Sequence, residues 1–139
     1  MAINPVEISL ALRPVGRPWV RVSVNNDIYT EVQLAEDIDL DIKFSGQGSA
    51  RLNVEHFNKQ DNDPDTAVII NSIGFFGISD PRFVWAGVYR PNYPDHYENK
   101  IPELPGQGYL GWNGVYSLEF GIPVFTWMHQ ILDMGWLYD

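Results

Sequence analysis

Apolar residues recur at every second position through most of this chain. In VEISLAL, Val6, Ile8, Leu10 and Leu12 fall on one side, with Glu7 and Ser9 on the other. WVRVSV sets Val20, Val22 and Val24 against Arg21 and Ser23. EDIDLDIKF sets Ile38, Leu40, Ile42 and Phe44 against Asp37, Asp39, Asp41 and Lys43. A period of two is that of a strand, and a strand with one apolar and one charged face belongs in an antiparallel sheet buried on one side. NND at 25–27 is a turn signal, because Asn tolerates positive φ, and IYTEVQL reads as the return strand of a hairpin.

The pattern continues. After the loop SGQGS, ARLNVEHF opposes Leu52 and Val54 to Arg51, Asn53 and Glu55. AVIINSIGFFGI is almost wholly apolar, and Gly74 and Gly77 within it predict a central strand with a bulge or bend. FVWAGVY reads as a further strand, and VYSLEFGI as another with Tyr116, Leu118, Phe120 and Ile122 on one side. PVFTWMHQILDMG fits two patterns. Phe125, Met128, Ile131 and Leu132 make a helical stripe between Pro123 and Gly135, while Phe125, Trp127 and His129 alternate as in a strand. Many short strands joined by Gly, Pro, Asn and Asp turns predict an all-β fold: an antiparallel β-sandwich or jelly roll, one domain over residues 1–139, with at most a short C-terminal helical turn.

One stretch breaks the pattern. In YRPNYPDHYENKIPELPGQGYLGWNG, residues 90–108 follow neither period. Unpatterned runs longer than about 12–15 residues are uncommon in compact domains and tend to be functional or disordered. The prolines at 91, 94, 102 and 105 and the many aromatics favour a fixed path, so the expectation is one long ordered loop that covers a sheet edge or an open end of the sandwich. Most of its rings are expected to pack. Tyr93, His96, Tyr97, Tyr109 and Trp112 are the candidate ligand contacts, since Tyr and Trp present flat faces suited to sugar rings or to another protein.

Charge narrows the partners. Nine Lys and Arg against eighteen Asp and Glu give a net charge of −9. That opposes nucleic acid and anionic membrane, and suits divalent cations or neutral ligands. KQDNDPDTAV places Asp61, Asp63 and Asp65 at alternate loop positions, a reasonable oxygen set for Ca²⁺. It is not an EF-hand: Thr66 stands where that loop requires Gly and Ser72 where it requires Glu. A solvated connection stiffened by Pro64 is the other reading of the same residues.

NDPDTAVIINSIGFFGI, residues 62–78, resembles the later half of calcium-dependent xylan-binding modules, in which an acidic loop leads into a strand of this form. The resemblance implies a sugar-binding β-sandwich with Asp61, Asp63 and Asp65 as Ca²⁺ ligands and the metal coordinating sugar hydroxyls. GVYRPNYPDHY with LGWNGVYSLEFGIPVFTWMHQ also looks like small proteins of tailed phages that infect marine cyanobacteria, which implies a virion-associated role.

No catalytic constellation is legible. Cysteine is absent, which removes thiol nucleophiles and thiolate metal sites. His56 shares the inward face of Val54, and His129 lies among apolar residues. His96 has Asp95 and Glu98 beside it but no nucleophile, and no G-x-S-x-G occurs. Glu103 and Glu119 are carboxylates without a recognisable pairing. MAINPVEISL lacks a secretory signal pattern, and no apolar run approaches the ~18 residues of a membrane span. The expectation is a non-catalytic binding module for carbohydrate, assisted by Ca²⁺. The alternative is a structural or assembly protein of a phage particle, with a protein partner or a homo-oligomer in place of a small ligand.

Overall fold

A computed structural model describes residues 4–60, 66–95, 97–98 and 100–132. Asp61, Asp63 and Asp65, proposed above for a metal, and His96, a candidate contact, lie outside these residues. The described residues form eleven strands and two helices. One sheet contains β1 (Asn4–Val15), β4 (Ile38–Gly46), β6 (Ala67–Phe75), β7 (Ile78–Ser79) and β10 (Tyr109–Leu110). Its order is β10-β6-β1-β4, with β7 also on β6. The other contains β2 (Trp19–Val24), β3 (Asp27–Gln33), β5 (Gly48–Phe57), β8 (Val88–Pro91), β9 (Leu104–Pro105) and β11 (Gly114–Ile122), in the order β3-β2-β5-β11-β8-β9. All pairings are antiparallel. The fold is the expected β-sandwich.

Its core is made by the alternation. Val6, Ile8, Leu10 and Leu12 of β1 are buried against Val20, Val22, Val24, Leu52, Val54, Leu118 and Phe120 from the facing sheet. Asn25, at φ 55°, makes the tight turn between β2 and β3, as NND predicted. In β6 the period slips. Ser72 pairs with Ala11 and Ile70 with Leu12, so Asn71 is an extra residue. That bulge explains why Val68 and Ile70, then Ile73 and Phe75, all reach the core: parity changes between the pairs. Of the bulge or bend expected around Gly74 and Gly77, the bend is found at Gly77 and the bulge falls at Asn71. Phe76 and Gly77, at φ 53° and 81°, form the bend into β7.

Two segments differ from a reading by strand composition. FVWAGVY is not one strand: Pro81–Trp85 is helix α1, and only Val88 onward is β8. Asp80 accepts a hydrogen bond from the Arg82 N–H (2.9 Å) and Pro81 begins the helix, so cap chemistry outweighs the β-propensity of Phe83, Val84 and Trp85. The two patterns open for the C-terminal stretch resolve as a helix, α2 (Val124–Ile131), which follows a cis Ile122–Pro123 peptide. Its Trp127 packs edge-on to Phe75 and Phe120, with ring centroids 5.4 and 6.0 Å apart. Neither helix is long and apolar enough to cross a membrane.

Residues 104–110 close one side of the sandwich. β9 pairs with β8 at the edge of one sheet, and β10 pairs with β6 at the edge of the other. Between them, Gly106 N–H donates to Gly87 O and Ile70 N–H donates to Gly108 O, both at 2.8 Å. Gly87 itself is a close-approach position. A Cβ there would lie 2.2 Å from the hydroxyl of buried Tyr116, which donates to Val84 O at 2.6 Å. Gly87→Ala should therefore lower stability by about 2–3 kcal/mol through overpacking, and Tyr116→Phe by about 1 kcal/mol, since Val84 O loses the hydroxyl donor and keeps only the Gly87 N–H at 3.2 Å. Urea unfolding midpoints measure both, and a Gly87→Ala midpoint equal to wild type would contradict this packing.

Candidate functional site

The loop before this closure is organised by its rings. Tyr89 on β8 is buried, and its hydroxyl donates to the Trp112 carbonyl while accepting from the Trp112 N–H at 3.0 Å. Burial drives this phenol's pKa upward, which keeps its proton in place as a donor. Trp112 is thus held by its backbone. The Lys59 ammonium sits 4.9 Å from the centre of its ring, and the edges of Tyr97 and Tyr93 approach at 5.2 and 6.2 Å. A turn closed by Tyr97 N–H on Pro94 O (3.0 Å) brings Tyr97 back over Tyr93, and the two rings stack 5.0 Å apart at 9°. The Tyr93 hydroxyl then donates to Ile101 O at 2.9 Å.

These rings form one wall of a cleft of about 540 Å³. Tyr109, 48% exposed, lines it too. Its ring overlies Gly111, where a Cβ would come within 3.2 Å. Lys100 and Gln107 add polar groups, and Ile101 and Leu104 apolar ones. Four of the five candidate contacts, Tyr93, Tyr97, Tyr109 and Trp112, therefore meet at one cleft. Lys100, Ile101 and Gln107 join them with no local sequence signal, and Lys59 approaches the Trp112 ring without lining the cleft. Lys59 arrives through a long-range clamp: its N–H donates to Asn113 Oδ1 (2.8 Å) and its carbonyl accepts from Asn113 Nδ2 (3.0 Å). Its side chain was legible only as one charge in a polar loop.

Lys59 also bears on the metal question. Its ammonium donates to Gly111 O (2.6 Å) and Thr66 O (3.0 Å), oxygens that border the acidic loop and the cleft. A cation of the chain's own thus occupies this carbonyl pair. Among the described residues no group of three or more His, Asp or Glu is gathered that could hold a metal ion.

Apart from the tyrosine cleft, His56, fully buried on β5, uses Nδ1–H to donate to Leu110 O on β10 at 2.8 Å, joining the two sheets. Its Nε2 has no hydrogen-bond partner among the described residues. Burial lowers its pKa below the ordinary 6.5, with a further push from Lys59, against the opposing effect of the Leu110 bond. A depressed folded pKa means that the unfolded chain binds the proton first. Stability is then fully present above about pH 6.5 and is lost as the pH falls below it. His56→Asn keeps a donor for Leu110 O but cannot titrate. Its stability should fall less than the wild type's between pH 7 and 5, measured by chemical denaturation, and identical slopes would remove His56 from the acid response.

No protein-family model matches the chain, nor does any curated protein. Two solved structures share its fold. One is the selenomethionine form of vCBM60, from work on circular permutation between two families of calcium-dependent carbohydrate binding modules. It is 17% identical, covers 81% of this chain and 89% of its own, and has a TM-score of 0.57. The other is vCBM60 in complex with galactobiose, 16% identical, covering 81% of this chain and 96% of its own, with a TM-score of 0.55. The expected likeness to calcium-dependent carbohydrate-binding β-sandwiches is found, at the level of fold. The likeness to phage proteins has no counterpart in these comparisons.

Proposed function

We propose that this chain is a non-catalytic carbohydrate-binding module whose site is the cleft of Tyr93, Tyr97, Tyr109 and Trp112. The observation that carries the reading is the convergence of those four aromatic residues on one open cleft of about 540 Å³. Ligand sites are mostly apolar concavities with a few placed polar groups. A sugar ring presents C–H faces that suit an aromatic wall and hydroxyls that need donors and acceptors, which Lys100 and Gln107 supply. The wall is already fixed by the Tyr89, Tyr93 and Lys59 hydrogen bonds, so little ordering opposes binding. Tyr109, the most exposed of the four, is the contact platform. The fold shared with carbohydrate-binding modules supports the same reading. Calcium extends it: Asp61, Asp63 and Asp65 are the ligands, on the strength of their oxygen chemistry and alternate spacing.

A second reading, an assembly protein such as one of a phage particle, is favoured by one feature. Edge strand β3 exposes Ile28 (59%), Tyr29 and Val32, an apolar edge of the kind that pairs with another chain.

Calorimetry with galactobiose, xylobiose and xylohexaose, preceded by a neutral glycan array, tests the main reading. Tyr109→Ala should weaken the best ligand about tenfold or more, equivalent to ~1.4 kcal/mol. A wild-type protein that binds no neutral glycan on the array sinks the proposal. For the metal, Ca²⁺ at 100 times its Kd after EDTA treatment should stabilise the fold by about 2.7 kcal/mol, and replacing all three aspartates by Asn should abolish the gain. An unmoved melting temperature removes calcium and leaves the aromatic cleft standing.

A further inference from the structure

Residues 104–109 line two concavities. Leu104, Gln107 and Tyr109 border the tyrosine cleft, while Gly106 and Gly108 border a second cleft of about 340 Å³. Trp85, the last residue of α1, lines this second cleft and is 62% exposed. A tryptophan on a short helix with no ring partner among the described residues leaves a large apolar surface in water.

The surroundings of Trp85 are built to keep the space open. A Cβ at Gly106 would contact the Trp85 backbone at 3.4 Å, and one at Gly108 would come within 3.2 Å of Val84 Cγ1 and 3.3 Å of Ile70 O. The β6 bulge places Asn71, an exposed amide, on the lining of this cleft within an otherwise apolar strand. Ser79 and Asp80 complete a polar rim. Asp80 is held by Arg82, whose Nε and Nη2 donate to its two oxygens at 2.9 and 3.0 Å. That pair is charge-compensated, so the rim offers hydroxyl partners without a net charge to attract an ion. An apolar indole, an amide, a hydroxyl and a neutralised carboxylate match an uncharged polyol ring.

We propose that the Trp85 cleft is a second carbohydrate subsite, which takes a further neutral sugar unit of the same glycan bound at the tyrosine cleft. The inference rests on the carbohydrate reading above and adds chain-length specificity to it. Two ring platforms flanking one rib recognise a polysaccharide segment rather than a disaccharide.

The test uses the full chain labelled with 5-fluorotryptophan. Trp112 reports the tyrosine cleft, Trp85 the second cleft, and buried Trp127 serves as the control. With xylohexaose or a galactan hexasaccharide, the fluorine signals of Trp112 and Trp85 should both move, whereas xylobiose or galactobiose should move Trp112 alone. Trp85→Ala, a change at an exposed position, should lower hexasaccharide affinity about tenfold, to that of the disaccharide, and leave disaccharide affinity unchanged. A hexasaccharide that shifts Trp112 without Trp85, or binds Trp85→Ala as tightly as wild type, overturns this inference and leaves the first cleft intact. Sugars that shift neither signal overturn both. A Trp85 signal that moves with protein concentration alone assigns the surface to a second copy of the chain and also overturns the inference.

Discussion

Two backbone hydrogen bonds govern the functional side of this molecule. A sandwich is open along the edges of its sheets, and here one opening is spanned by residues 104–110. Gly106 N–H on Gly87 O fastens that segment to one sheet, and Ile70 N–H on Gly108 O fastens it to the other. The span is short and carries glycine at 106 and 108, where side chains would press on Trp85, Val84 and Ile70. Both clefts are consequences of this strap. It satisfies the backbone groups of the β6 and β8 edges, which would otherwise be free to pair with another chain, and it raises a rib with a concavity on each flank.

The tyrosine wall depends in turn on satisfied polar atoms. A phenol hydroxyl buried without a partner costs about 1–3 kcal/mol, and buried Tyr89 and Tyr116 avoid this by donating to a backbone carbonyl, as the more exposed Tyr93 also does. Those bonds fix loop backbone as well as side chains. Tyr89 holds Trp112, Tyr93 holds Ile101, and Tyr116 holds the end of α1. A proline-rich loop with no strand period is thereby ordered by side chains, and its rings end half-buried. They are packed on one side and available on the other.

The sandwich was legible because its signal is local. Period two in β1, β2, β4, β5 and β11 states which residues face inward without reference to anything distant. The long loop was legible as a cover and as the home of Tyr93, Tyr97, Tyr109 and Trp112. What escaped was either a contest between local signals or a contact across the fold. Phe83, Val84 and Trp85 look like strand, and only Asp80 and Pro81 before them announce a helix. Asn71 shows as a bulge only once β1 supplies the register. Lys59 is 54 residues from its clamp at Asn113, and no pattern within its own loop could place it beneath Trp112. Trp85 became a candidate contact only when the rib set it beside a cleft.

Charge pairing decides between classes of ligand. Arg13, Arg21, Lys43, Arg51, Arg82 and Arg90 are each ion-paired to a carboxylate of the chain, and Lys59 is committed to two carbonyls and the Trp112 ring. With eighteen acids against nine bases, the field outside the clefts is negative and its cations are largely compensated. A phosphate, a sulfated chain or a nucleic acid would meet repulsion at the approach, with Lys100 as the counter-charge lining the tyrosine cleft. A neutral polyol meets no such repulsion. In the proposed reading it would exchange water for tyrosine and tryptophan faces and for the amides of Gln107 and Asn71. The same acidity that excludes polyanions favours a divalent cation at Asp61, Asp63 and Asp65, so the sugar and calcium proposals draw on one electrostatic design while remaining separable, because the rings of the cleft are held in place by the chain's own lysine and hydroxyls.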